Sequence, residues 1–146
     1  MRRATLLVLV ALAGCGTAAQ QQKEAPKPKP AASDEQLIRG WSRALNEGDY
    51  PKAAGFFARG AVVEQSRATR LSSRAEAITF NRGLPCRADV TGVEDEGRTS
   101  LASFSLRRGP GGPCKGSASV RFTIRHGKFT QWRQLPEAPA PPGDTA

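Results

Sequence analysis

The stretch VRFTIRHGKFTQWRQLP (120–136) decides the fold, because apolar and polar side chains alternate on both sides of a His-Gly pair. Alternation with a period of two is typical of a strand with one buried face, and His126-Gly127 fits a two-residue hairpin turn. The predicted register gives these cross-strand pairs: Arg125 with Lys128, Ile124 with Phe129, Thr123 with Thr130, Phe122 with Gln131, Arg121 with Trp132, and Val120 with Arg133. Gln131 and Arg133 then lie on the apolar face, and Arg121 forms a surface cation–π pair with Trp132.

A second hairpin precedes this one, with Asp95-Glu96-Gly97 as a three-residue loop and Gly97 at positive φ. Its predicted register pairs Glu94 with Arg98, Val90 with Ala102, and Ala88 with Phe104. Four strands result, at 86–94, 98–107, 115–125 and 128–135. One face of this sheet collects the apolar side chains, and a slip by one residue would scatter them: Ala88, Val90, Ala102, Phe104, Leu106, Val120, Phe122, Ile124 and Phe129.

Helical signals dominate the region before these strands. Ser33 and Gln36 fit a capping box, and an apolar face with helical spacing follows: Leu37, Trp41, Ala44 and Leu45, with Ile38 at its edge. The later elements are predicted as a helix that opens at Tyr50-Pro51 and ends before Gly60, strands at 61–65 and 68–71, and a helix from Ser73 to Gly83. We therefore predict the α+β class, with a cone-shaped curved antiparallel sheet packed on three N-terminal helices.

The chain begins with two arginines and an apolar run, TLLVLVALAG (5–14), which is too short to span a bilayer as a helix. The order Leu-Ala-Gly-Cys at residues 12–15 resembles the bacterial lipobox. This resemblance implies removal of residues 1–14, acylation of Cys15 and an extracytoplasmic domain held at the cell membrane by its lipid. The alternative is an ordinary secretory signal that happens to contain a cysteine.

The composition divides the rest of the chain into three parts. We predict a linker rich in Pro, Lys and Gln at residues 15–33, one domain at residues 34–135 and a disordered tail at residues 136–146. The formal net charge of +9 would suit nucleic acid, but export argues against that partner. A basic surface that faces anionic lipid or cell-wall polymer fits better.

The two remaining cysteines, Cys86 and Cys114, form an even pair in an oxidising compartment, which favours a disulfide. A simple strand order places them on either side of a third strand, about 9–10 Å apart. The Gly- and Pro-rich loop RRGPGGPCKGS (107–117) must therefore fold over the end of that strand. No metal site is predicted, because two cysteines and His126, a turn residue, do not make a tetrahedral set.

The segments LIRGWSRALNEGDYPKAAGFFARGAVVEQ (37–65) and VRFTIRHGKFTQWRQLP (120–136) together resemble the nuclear transport factor 2-like superfamily, in its SnoaL-like branch. The resemblance covers roughly residues 35–135. It implies a cone-shaped α+β barrel with a pocket at its open end, and homodimers built through the sheet. It implies no single activity, because members include cyclases, isomerases, epoxide hydrolases and accessory domains.

Five residues are candidates for the pocket wall: Trp41, Tyr50, Glu64, Gln131 and Arg133. Polar groups on an apolar face must be paired or must line a cavity, and an ion pair between Glu64 and Arg133 is the simpler alternative. Asp89 falls on the outer face of the predicted sheet, and His126 lies at a hairpin tip. The acid–base sets that the resemblance implies are therefore not matched, and we predict no catalytic residue and no cofactor.

Two functions remain open at this point. The first is a binding domain at the cell surface, whose pocket or sheet face holds a small apolar ligand or a protein partner. The alternative is an enzyme of the cyclase or isomerase type acting on a small apolar substrate, with Glu64, Arg133 and Tyr50 near the chemistry.

Overall fold

A computed structural model describes residues 32–136. The predicted signal segment, Cys15, nearly all of the linker and the tail beyond Pro136 lie outside these residues. The elements, in chain order, are α1 (Asp34–Asn46), α2 (Tyr50–Ala54), β1 (Phe57–Glu64), β2 (Ala68–Leu71), α3 (Arg74–Gly83), β3 (Arg87–Asp95), β4 (Ser100–Arg107), β5 (Ser117–Arg125) and β6 (Lys128–Gln134). The predicted α+β class is confirmed: three helices and a curved, unclosed six-stranded sheet. Within 32–136, no helix is long and apolar enough to cross a bilayer.

Helix starts follow the capping signals in the sequence. In α1, Ser33 Oγ accepts from the Gln36 amide (3.2 Å), and Gln36 Oε1 accepts from the Ser33 amide (3.0 Å). In α3, Ser73 Oγ accepts from the Glu76 amide (3.2 Å). Glu76 Oε2 accepts from the amide of Ser72 (2.6 Å), one residue before the capping residue. Both helix starts are thus satisfied by local side chains.

Helix α2 is shorter than predicted. It ends at Ala54, and the chain joins the sheet at Phe57 instead of staying helical as far as Gly60. The carbonyl of Phe56 accepts from the Phe129 amide (2.8 Å), and the Phe57 side chain is buried in the core. Pairing with β6 and burial of an aromatic ring outweigh the helical pattern of this segment.

The strand order is β2-β1-β6-β5-β4-β3. All neighbours are antiparallel except β1 and β6, which run parallel. This pair joins the N-terminal strands to the C-terminal hairpin.

The hairpin of β5 and β6 has the predicted turn but not the full predicted register. Arg125 faces Lys128 and Ile124 faces Phe129, as expected. Thr130 is then an extra residue in β6, and the following pairs are Thr123 with Gln131, Phe122 with Trp132, Arg121 with Arg133, and Val120 with Gln134. A one-residue bulge exchanges the two faces of a strand. The prediction that Gln131 and Arg133 lie on the core face is therefore wrong.

The bulge is strongly favoured energetically. It buries Trp132, which is 3% exposed, and leaves Arg133 exposed, whereas the regular register would do the reverse. Burying a tryptophan removes about 150–250 Å² from water, worth about 4–6 kcal/mol, whereas a buried unpaired arginine costs several kcal/mol. The predicted cation–π pair of Arg121 with Trp132 is wrong for the same reason.

The β3–β4 hairpin differs from its predicted register by three residues between the loop and a β-bulge at Val90/Gly92, and by two residues beyond that bulge. The loop is 96–99, and the observed pairs include Asp95 with Ser100, Val90 with Phe104, and Ala88 with Leu106. Asp95 Oδ1 accepts from the Gly97 amide (2.7 Å), and Gly97 has the predicted positive φ of 86°. The shift of two residues leaves Ala88, Val90, Phe104 and Leu106 on the predicted face. All nine residues predicted for the apolar face belong to the core or pack against it.

Cys86 and Cys114 form the predicted disulfide, with their Cα atoms 5.8 Å apart. The loop between β4 and β5 reaches across β4 as expected, and the Gly111 amide donates to the Pro85 carbonyl (2.9 Å). Gly109 packs so closely that an added Cβ would lie 2.5 Å from the Pro85 oxygen. This contact fixes the connection between α3 and β3.

Candidate ligand cavity

A cavity of about 130 Å³ lies where the C-terminal part of α1 and the α3–β3 connection meet the sheet. Its walls are mostly apolar and include Leu45, Leu84, Ala88, Phe104, Leu106 and Val120. Helix α1 is fixed against β3 by side-chain hydrogen bonds. Ser42 Oγ donates to the Ala88 carbonyl (2.5 Å), and Asn46 Oδ1 accepts from the Ala88 amide (2.9 Å). These two hydrogen bonds fix the position of α1 relative to β3 beside the cavity.

Trp41 forms the inner wall and is 2% exposed. Its ring is edge-to-face with five aromatic rings at centroid distances of 5.7–6.3 Å: Phe57, Phe104, Phe122, Phe129 and Trp132. Its Nε1 donates to Asn81 Oδ1 (2.8 Å), and Asn81 Nδ2 donates to the Ala77 carbonyl (2.7 Å). Packed aromatic rings therefore fill the centre of the core, and the cavity lies beside them.

Trp132 lines the same cavity and differs from Trp41 in one respect. Its Nε1 is the one buried side-chain nitrogen or oxygen in 32–136 that has no hydrogen-bond partner. The ring of Phe80 packs against Trp132 edge-to-face, with centroids 5.2 Å apart. A buried donor without a partner costs about 1–3 kcal/mol.

Two features border the cavity. On one side, Gln65 Nε2 donates to Gln134 Oε1 (3.1 Å), so two exposed side chains bridge the ends of β1 and β6. On the other side lie Pro85 and Cys86, which the disulfide ties to the loop before β5. The covalent bond therefore supports one wall of the cavity.

The structure does not bring the five predicted pocket residues together. Trp41 lines the cavity. Glu64 and Arg133 form an ion pair at 3.0 Å on the outer face, as the simpler alternative expects, and Gln131 Oε1 accepts from Thr123 there (3.3 Å). Tyr50 lies in a separate groove, with the Arg82 guanidinium 5.8 Å from its ring centroid.

The carboxylates with perturbed pKa values lie outside the cavity. Bidentate hydrogen bonds from Arg121 (2.7 and 2.9 Å), with a further bond from Thr99, lower the pKa of Glu96 to about 2. Hydrogen bonds from Arg107 lower the pKa of Asp89. A lowered pKa makes a carboxylate a poorer base near neutral pH, so both pairs serve the structure of the sheet.

The buried polar side chains within the described range are Ser42, Asn81 and Ser100, and none of them is ionisable. Across the same range, no group of three His, Cys, Asp or Glu side chains could hold a metal ion. The residues that line the cavity thus offer mostly apolar surface and no charge. General acid–base chemistry needs an ionisable group within reach of the reacting atom.

Neither a protein-family model nor a curated protein matches the sequence. Among solved structures, a nuclear transport factor 2-like protein of unknown function from Cytophaga hutchinsonii superposes with a TM-score of 0.61 at 15% identity, covering 74% of this chain and 93% of that one. A proposed ketosteroid isomerase from Kribbella flavida gives 0.59 at 23% identity, over 73% and 79%. A proposed polyketide cyclase from Sinorhizobium meliloti gives 0.54 at 18% identity, over 68% and 93%. The fold is therefore the nuclear transport factor 2-like fold, in agreement with the sequence resemblance.

Proposed function

We propose that this protein is a membrane-tethered extracytoplasmic domain that binds a small apolar ligand and does not transform it. The observation that carries the proposal is the cavity of about 130 Å³, whose lining residues are all uncharged. An apolar cavity of about 150 Å³ is known to bind benzene, so this one suits a ligand portion of similar size.

The enzyme alternative has less support from the same geometry. Its three residues are Glu64, Arg133 and Tyr50, of which the first two are ion-paired on the outer face. Two of the similar structures are named for isomerase and cyclase activities, but the likeness to them extends only to the fold. No residue that lines the cavity can take up or release a proton near neutral pH.

The location rests on the lipobox resemblance around Cys15 and on the disulfide. Disulfides persist in oxidising compartments, so the bond between Cys86 and Cys114 is consistent with an extracytoplasmic domain. Two acyl chains on Cys15 would make the attachment stable, whereas one chain is marginal.

Ligand extraction tests the binding proposal. The full-length protein, purified from its own membranes, is extracted with solvent and compared with an Ala118→Leu variant, in which a larger side chain fills the cavity lined by Ala118. We expect a small apolar compound from the wild type and its loss from the variant. Incubation of the complex in D₂O should leave that compound free of deuterium. Deuterium incorporation, or equal recovery from both proteins, would contradict the proposal.

Mass spectrometry tests the anchor separately. The mature wild type should carry a lipid mass on Cys15 and should sediment with membranes. A Cys15→Ser variant should lose both properties and should still contain the Cys86–Cys114 disulfide. A mature wild-type chain without lipid would support the ordinary secretory signal instead.

A further inference from the structure

A groove lined by three cationic side chains lies where the end of α2, the start of β1 and the start of α3 meet. Its volume is about 490 Å³, and its lining includes Arg59, Arg74 and Lys128 but no carboxylate. All three side chains are exposed, and none of them forms an ion pair with another residue in 32–136. We refer to this feature as the basic groove. Like charges that share a groove repel each other, and a bound anion would offset that repulsion.

Backbone carbonyls of α2 and its C-cap orient two of these side chains. Arg74 Nη2 donates to the Pro51 carbonyl (2.9 Å), and Lys128 Nζ donates to the Gly55 carbonyl (2.5 Å). Each contact uses one donor, whereas a guanidinium group has five N–H donors and an ammonium group has three. Most of the donors in the groove therefore stay available to an anion.

A second basic groove has a structural explanation that the first one lacks. It is lined by Arg87 and Arg108 and lies beside Asn46 and Gly48, at the C-terminal end of α1. Cations are stabilised at that end, because the carbonyl end of a helix carries partial negative charge. Arg74 is instead the first residue of α3, where the helix dipole disfavours a cation. The charge of Arg74 therefore does not stabilise its own helix.

The basic groove lies at the end of the sheet where α1 begins. Phe57 and Phe129 are paired near the starts of the parallel strands β1 and β6, beside the groove. Ser100 starts β4 at this same end, because β4 and β6 both run antiparallel to β5. Its hydroxyl donates to a carboxylate oxygen of Asp34, the first residue of α1 (3.0 Å). The chain that leads from Cys15 therefore joins the domain at the end that carries the basic groove.

The ligand cavity lies toward the opposite end of the sheet. Its lining includes Ala88 near the start of β3, Leu106 near the end of β4, and Ala118 near the start of β5. Because neighbouring strands here are antiparallel, these three positions share one end. A surface that contacts the basic groove would therefore leave the cavity accessible.

We propose that the basic groove binds the phosphate-bearing headgroups of anionic lipids, so that the domain rests on its membrane with the cavity facing away from the bilayer. This inference rests on the tether in the proposed function and adds the orientation of the domain. Each Lys or Arg near an anionic lipid surface strengthens binding about fivefold. Removing two of the three cations should therefore weaken binding about 30-fold.

Vesicle sedimentation tests the proposal with the full-length Cys15→Ser chain, which no acyl anchor holds on the vesicle. The vesicles contain phosphatidylcholine alone or equimolar phosphatidylcholine and phosphatidylglycerol. The neutral vesicles measure what the apolar residues 5–14 contribute. We expect tighter binding to the anionic vesicles, and a loss of about 30-fold when Arg59→Gln and Arg74→Gln are added.

Two further double variants separate the groove from the net charge. Arg87→Gln/Arg108→Gln removes the same charge from the second groove and should weaken binding less than about threefold, because salt screens charges beyond about 8 Å. Arg59→Lys/Arg74→Lys keeps the charge and should bind like the parent chain. If Arg59→Gln/Arg74→Gln does not fold, Arg59→Gln alone decides, with an expected loss of about fivefold.

Two results would overturn the inference outright. One is equal binding of the parent chain to neutral and anionic vesicles, and the other is an equal loss in the two Gln double variants. Inorganic phosphate, exchanged for chloride at constant ionic strength, should leave vesicle binding unchanged. If phosphate instead abolishes binding, the groove is a site for a soluble phosphate compound and the lipid source is wrong. The lipid mass on Cys15 is measured separately, so the groove and the tether can fail independently.

Discussion

The disulfide between Cys86 and Cys114 should supply a large part of the stability of the domain. The bond closes a loop between cysteines 28 residues apart. For a loop of that length, the chain-entropy relation gives about 3.6 kcal/mol at 25 °C. Domains of this size are stable by about 5–15 kcal/mol, so a Cys86→Ala/Cys114→Ala variant should fold with greatly reduced stability.

Urea unfolding, followed by far-UV circular dichroism, measures the effect. With an m-value of about 1.5 kcal/mol/M, a loss of about 3.6 kcal/mol lowers the urea midpoint by about 2.4 M. Each single variant should lose nearly as much as the double variant, because removing either sulfur breaks the same bond. Dithiothreitol should destabilise the wild type by a similar amount and leave the double variant unchanged.

Two results would refute this reasoning. If the losses in the single variants add up to the loss in the double variant, the cysteines act by packing and not through their bond. The second result is a wild-type urea midpoint that dithiothreitol leaves unchanged while free thiols are detected. That result would mean that the noncovalent contacts of the 107–117 loop are enough to stabilise the connection between α3 and β3. Those contacts include the hydrogen bond from Gly111 to Pro85.

Three further predictions follow from hydrogen bonds and close contacts. Asn81→Ala removes the hydrogen-bond acceptor of the buried Trp41 indole. It should lower the free energy of unfolding by about 2–3 kcal/mol, measured by urea unfolding. In the folded state the pKa of Glu96 is lowered to about 2. The stability that ionised Glu96 gains from Arg121 is therefore fully present above about pH 4.5 and is lost as the pH falls toward 2. Glu96→Gln should flatten the dependence of Tm on pH in that window. Gly109→Ala places a Cβ 2.5 Å from the Pro85 oxygen and should lower stability by about 1–3 kcal/mol, measured by thermal unfolding.

Matched variants serve as controls. Thr79→Ala, on an exposed face of the same helix as Asn81, should stay within about 0.5 kcal/mol of the wild type. Gly83→Ala adds a Cβ with no heavy atom within 4 Å and should not destabilise. Equal losses in Asn81→Ala and Thr79→Ala, or in the two glycine variants, would contradict the structural explanation. For Glu96→Gln, an unchanged pH profile would show that the Arg121 contact contributes nothing in solution.

Local signals in the sequence predicted the elements well. The capping residues located both long helices, the His-Gly pair fixed the first two pairs of the C-terminal hairpin, and the nine apolar strand residues all face the core. Each of these features depends on a few neighbouring residues or on side-chain parity. The disulfide was predictable because assigning Cys15 to the lipobox leaves Cys86 and Cys114 as the one remaining pair.

The candidate site was much less predictable, because it depends on one irregular position. Counting outward from the turn assumed a regular strand and placed Trp132 outside and Arg133 inside. The signal that could have corrected this was energetic: a register that exposes Trp132 and buries Arg133 is unfavourable by several kcal/mol. The end of α2 was missed for a similar reason, since only the distant partner β6 shows that Phe57 belongs to a strand.

The bulge at Thr130 also affects how this chain compares with others. Between Phe129 and Trp132, β6 contains one residue more than regular alternation needs. A chain lacking Thr130 would alternate regularly and would still direct both aromatic rings inward. The extra residue therefore leaves unchanged which aromatic side chains of β6 face the core. A residue-by-residue alignment with a bulge-free strand would go out of step here, whereas a superposition of backbones would not.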